Sequence, residues 1–149
     1  MGYIRFEKSL MTNLEETLPK ELLRTNRSGA YACSSILDCN TRKYHGLLVL
    51  PIPEIDDDNH VLLSALDVSV VQHGAVFNLG VHKYRGNTYS PNGHKYIREF
   101  NCDKVPTTLY RVGGVLLRKE MVFQHFEDRI LIRYTLEDAH SATTLRFKP

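Results

Sequence analysis

Apolar residues in this chain recur at every second position far more often than at helical spacing. Over residues 129–136, Ile130, Ile132, Tyr134 and Leu136 fall on one side of an extended chain, and Leu131, Arg133 and Thr135 on the other. The run Leu47, Leu48, Val49 and Leu50, closed by Pro51 and Pro53, predicts a strand buried on both faces. Residues 61–72 and 75–82 flank His73-Gly74 and predict a hairpin. Residues 107–112 and 115–124 flank Gly113-Gly114, two residues suited to the positive φ of a type I′ turn. Pro91-Asn92-Gly93 marks a further turn, and Thr143 to Phe147 begins another strand. Residues 11–24 alone suggest a short helix, with Asn13 and Glu16 as a capping box and Pro19 limiting its length. Many short strands between turn signals, without a βαβ rhythm, predict an all-β fold: an antiparallel sandwich or barrel.

A length of 149 residues suits one domain. With 42% hydrophobic and 24% charged residues the chain has the composition of a globular protein. A net charge of +2 is too small to point to nucleic acid or to an acidic membrane as partner. No apolar run approaches the ~20 residues of a membrane span, and the first ten positions lack a signal-peptide core. Cys33, Cys39 and Cys102 have neither zinc-knuckle nor redox-pair spacing, and read as reduced thiols of a cytoplasmic protein. Neither the seven histidines nor any nucleotide-binding or hydrolase motif suggests a metal or cofactor. Asp56-Asp57-Asp58 reads as a solvated loop.

Three polar clusters carry candidate chemistry. The segment Asn40-Thr41-Arg42-Lys43-Tyr44-His45 sets amide, guanidinium, phenol and imidazole groups just before an apolar strand. Sugar hydroxyls both donate and accept, so such groups beside tyrosine rings suit a carbohydrate. If the segment is extended, Arg42 and Tyr44 point one way and Lys43 and His45 the other. The second cluster runs from Arg24 to Tyr31 and includes Asn26. The third runs from Tyr84 to Tyr96 and includes Tyr89 and His94. The competing reading for each is a loop whose polar groups satisfy one another. No pair among the seventeen acids suggests a glycosidase dyad; Asp67 and Glu99 are the least unsuitable.

The string Asn40-Thr41-Arg42-Lys43-Tyr44-His45-Gly46-Leu47-Leu48 resembles the N-T-R-x-Y-H-G-L-L motif of the amino-terminal domain of bacterial and archaeal glycogen-debranching enzymes. Leu22-Leu23-Arg24-Thr25-Asn26 leading to Gly29-Ala30-Tyr31-Ala32 is similar to the family's L-L-x-T-N and G-G-[YF]-A segments, with Ala30 in place of the second glycine. Residues 61–67, Pro91-Asn92-Gly93 with Tyr96 and Phe100, and residues 107–115 follow the family pattern in order. The resemblance implies an antiparallel β super-sandwich, of the galactose-mutarotase-like or glucoamylase amino-terminal type, at residues 22–149 after an extension at 1–21. It implies a partner in a carboxy-terminal (α/α)₆ barrel of the same enzyme, absent here, which carries the acid and base that cleave α-1,6 branches. The apolar strand running out near Pro149 predicts a sandwich short of its last strands, part of a larger protein.

The function so implied is a non-catalytic, glucan-binding or cleft-completing domain acting with glycogen or maltooligosaccharide. Its substrate-binding residues would be Asn40, Arg42, Tyr44, His45, Asn26, Tyr89 and His94, with no catalytic residue and no metal. The alternatives are a 4-α-glucanotransferase domain and a purely structural or oligomerisation module.

Overall fold

Alternation at every second residue becomes pleat in the computed structural model, which describes residues 3–149. The elements are β1 (Ile4–Glu7), the helical turns α1 (Lys8–Met11) and α2 (Leu14–Thr17), β2 (Glu21–Thr25), β3 (Tyr31–Ser35), β4 (Gly46–Pro51) and β5 (Asn59–Leu63). They continue with β6 (Asp67–Gln72), β7 (Ala75–Asn78), β8 (His82–Tyr84), β9 (Thr88–Ser90) and β10 (Ile97–Cys102). The last four are β11 (Pro106–Val112), β12 (Val115–Phe123), β13 (Ile130–Asp138) and β14 (Thr144–Lys148). All pairings are antiparallel. They build a five-stranded sheet β1-β10-β11-β12-β13, a four-stranded sheet β2-β3-β4-β5, a three-stranded sheet β14-β6-β7 and the ribbon β8-β9.

The architecture is an all-β sandwich. The inward row of the five-stranded sheet, Phe100, Tyr110, Val112, Val115 and Leu117, packs with Val68 and Val70 of the three-stranded sheet. A smaller core joins Ala30, Ala32 and Leu50 of the four-stranded sheet region to Phe123 of β12. Leu117 is fully buried, so its truncation to alanine would cost about 2–5 kcal/mol. Strand β12 shows the rule and its one exception. Val115, Leu117, Lys119, Met121 and Phe123 all point inward and are buried, and Lys119 alone is charged. It pairs with Asp38, whose side chain is partly exposed.

Local turn chemistry predicts the hairpins well. Gly113 and Gly114 adopt φ of 56° and 78° between Val112 and its partner Val115. His73 and Gly74, at 48° and 79°, turn β6 into β7. Strand β4 is buried on both faces, as its apolar run requires.

Three expectations need correction. The single strand expected at 61–72 is two. Ser64 leaves the ladder, where its carbonyl and hydroxyl receive the Asn40 amide at 2.9 and 3.2 Å, and the chain passes from one sheet to another. The helix expected over 11–24 is confined to two short turns. Asn13 Oδ1 does cap α2, accepting from the backbone N–H of Glu15 at 3.1 Å, but residues 21–25 pair with β3. The segment 42–45 is not extended: Tyr44 has φ of 66°, so the chain turns there. The first 21 residues supply the edge strand β1 and the fully buried Met11. Cys33, Cys39 and Cys102 are free thiols. Among the described residues no helix is long and apolar enough to cross a membrane.

Candidate functional site

Strand β2 alternates Glu21, Leu23 and Thr25 outward against Leu22 and Arg24 inward, and its register opposes Leu23 to Cys33 and Thr25 to Tyr31. These outward pairs form the floor of a concave surface of about 490 Å³. Arg27 and Gly29, from the β2–β3 turn, border one end, and Arg42 and Tyr44 rise from the loop before β4. The Tyr31 hydroxyl donates to the Tyr44 carbonyl at 3.4 Å, which ties floor to wall. The lining is mainly apolar and aromatic, with guanidinium groups at the rim.

One carboxylate shapes this wall. Arg42 donates from Nε and Nη2 to the two oxygens of Glu21, at 2.8 and 2.7 Å. His45, with a side chain only 1% exposed, sets Nε2 at 2.9 Å from Glu21 Oε1. Such forked, charge-assisted bonds fix direction as well as distance. Arg42 and then His45 outweigh the opposing effect of burial and draw the Glu21 carboxyl down to about 2. Burial and the neighbouring Glu21 push the Cys33 thiol up. Arg42 retains guanidinium N–H groups not spent on Glu21, and remains 60% exposed. Lys43 Nζ lies over the Tyr44 ring, 4.6 Å from its centroid, and covers one face of it.

Glu21, Cys33 and His45 bring ligand atoms within 4.8 Å of one another, a spacing compatible with a metal ion. The hydrogen-bond polarity opposes one. The Thr41 N–H donates to His45 Nδ1 at 3.0 Å, so the ring proton belongs on Nε2, directed at Glu21. A metal on Nε2 would force that proton to Nδ1, against the Thr41 N–H, and would compete with Arg42 for Glu21.

Of the residues picked out in the sequence, Arg42 and Tyr44 line the concavity. Asn40 bridges inside the fold, accepting from Ser34 Oγ at 2.8 Å and donating to Ser64. Asn26 is fully buried. It donates to the Glu127 carbonyl at 3.0 Å and accepts from the N–H groups of Ser28 and Ala30 at 2.9 and 3.1 Å. Tyr89 sits on β9 against the main core, and His94 in the short helical turn Gly93–Tyr96; neither lines the concavity. Burial, and then Lys95, lower the His94 pKa. Glu21, Leu23 and Cys33 were not among the site residues expected from the sequence. An acidic start to an alternating strand is the only local signal for Glu21, and it is a weak one.

Residues 20–149 match the family model described as glycogen debranching enzyme N terminal. No curated protein and no solved structure matches the chain.

Proposed function

Because the chain belongs to the glycogen debranching enzyme N-terminal domain family, we propose that the concavity over β2 and β3 holds a stretch of α-glucan for a cytoplasmic debranching enzyme. The observation that carries this reading is the Arg42–Glu21 fork. It fixes a guanidinium at the rim of an aromatic and apolar hollow that also holds Tyr31 and Tyr44. Apolar sugar faces pack on tyrosine and leucine, and the unspent Arg42 donors meet hydroxyls at the edge. Arg42 and Tyr44 touch the glucan in this reading. Asn40 and His45 position the loop that presents them.

The domain serves binding rather than bond cleavage, and the catalytic carboxylates belong to a barrel of the same enzyme. A general acid needs a pKa near its working pH, and Glu21 at about 2 is far below it. Both Asp67 oxygens lie 2.8 Å from His82 Nε2, and Glu99 accepts from Arg5 at 2.6 Å. Each acid thus has a structural partner.

Titration of the ¹⁵N-labelled chain with maltoheptaose tests the proposal. Saturable shifts at Leu23, Arg42 and Tyr44, weakened in Arg42→Ala, are expected. A folded chain that stays silent across these residues would favour a purely structural module. Disproportionation of maltooligosaccharides, abolished by one Asp or Glu change, would favour a transferase.

A further inference from the structure

The outer face of the five-stranded sheet carries a second concavity, of about 610 Å³, where β1 and α1 meet β10. Its polar lining includes Arg5, Lys8, Arg98 and Arg111 against Glu7 and Glu99. Glu99 is already occupied: Arg5 donates to it from Nε at 2.9 Å and Nη2 at 2.6 Å, and Asn101 adds a bond at 3.0 Å. Among the described residues, Lys8, Arg98 and Arg111 make no ion pair, which leaves three cations facing the single carboxylate of Glu7.

The backbone places Arg98 there by an irregularity. Ile97 pairs with Tyr110 and Glu99 with Leu109, so Arg98 is the extra residue of a β-bulge. A bulge re-aims its side chain out of the regular pleat, and such features gather at binding sites. Tyr96 adds an aromatic wall, braced edge-on by Phe77 at 6.0 Å. The volume falls within the ~300–1,000 Å³ typical of small-molecule sites and far exceeds what a bare inorganic anion fills.

We propose that this groove binds a phosphate monoester carried on a sugar. A phosphate monoester carries a charge of about −1.5 to −2 at neutral pH and several acceptor oxygens, a match for two arginine forks and a lysine. Tyr96 and Ser9 flank the space left for the sugar. The choice of a sugar as carrier rests on the debranching reading; the anion site rests on Lys8, Arg98 and Arg111.

The test uses the whole ¹⁵N-labelled chain at a fixed ionic strength of about 0.15 M, where long-range attraction is screened. Glucose 6-phosphate is expected to give saturable shifts at residues 96–99 and 111. Inorganic phosphate should bind more weakly, and glucose should do nothing. The double variant Arg98→Gln, Arg111→Gln should weaken binding about a hundredfold, roughly tenfold for each charged hydrogen-bonding partner lost. Should that variant not fold, Arg111→Lys keeps the charge but loses the fork, and should still bind several-fold more weakly. Absence of saturable shifts, or unchanged affinity in a folded variant, overturns the anion site. Inorganic phosphate binding as tightly as the sugar phosphate overturns the sugar. Maltoheptaose reports on Arg42 and Tyr44 instead, so the two proposals fail separately.

Discussion

The Glu21 carboxylate at the start of β2 and the His45 imidazole at the end of the β3–β4 loop meet at 2.9 Å, and Arg42 straddles the same carboxylate. One acid therefore holds both a buried ring and an exposed guanidinium. The wall of the concavity stands on this junction.

Replacing Glu21 by alanine leaves the His45 Nε2–H buried without an acceptor and frees Arg42. The expected loss is about 1–3 kcal/mol, the cost of an unmet buried donor. Urea unfolding measures it, and stability equal to that of the parent chain would contradict the anchoring role.

The Glu21 carboxyl should titrate near pH 2 rather than at its ordinary value of 4.5. A carboxyl whose pKa is depressed by folding adds stability that is whole above the unfolded value. That contribution fades as pH falls from about 4.5 towards 2. Carboxyl ¹³C shifts across this window give the midpoint, and Arg42→Ala should move it upward. A midpoint near 4.5 in the parent chain would mean that the fork does not persist in solution.

Lys119→Met strands Asp38 opposite an apolar side chain. Lys119 is buried but Asp38 is partly exposed, so breaking the pair from one side should cost less than the ~3–5 kcal/mol of a fully buried pair, whereas removing both charges together often costs little. The double variant Lys119→Met, Asp38→Asn should therefore recover most of the loss in urea midpoint. Equal destabilisation of the single and double variants would show that the lysine stem, not its charge, matters there.

Gly46→Ala tests the tight packing behind the loop. A Cβ at this position would lie 2.9 Å from Val61 Cγ1 and 3.2 Å from the Leu63 carbonyl oxygen. Overpacking of this kind costs about 1–3 kcal/mol. A thermal midpoint unchanged by the substitution would show that β5 yields freely.

What was legible in the sequence was local. Gly113-Gly114 between two alternating runs specifies a hairpin without help from elsewhere, and Asn13 specifies a cap. Residues 21–25 escaped because Glu-Leu-Leu-Arg-Thr satisfies a helical pattern as readily as an extended one; only pairing with β3 decides. The site divides in the same way. Arg42 and Tyr44 stand out by residue type beside an apolar strand. Glu21 does not, since its convergence with them depends on two strand registers. Asn26 and Asn40 carry the same chemistry as sugar-binding amides, yet backbone groups and serines use them inside the fold.

The pairing of distant strands shapes how the chain reaches this state. Phe6 lies opposite Phe100, and Val70 opposite Leu145, so neither the five-stranded nor the three-stranded sheet can assemble from neighbours alone. Such high contact order places folding in the range of milliseconds to seconds, after large loops have closed. During synthesis one hydrogen-bonding edge of β6 stays unpaired until β14 has been made. Holdase chaperones would find their target in that interval, and synonymous changes that slow translation between the two strands would lengthen it.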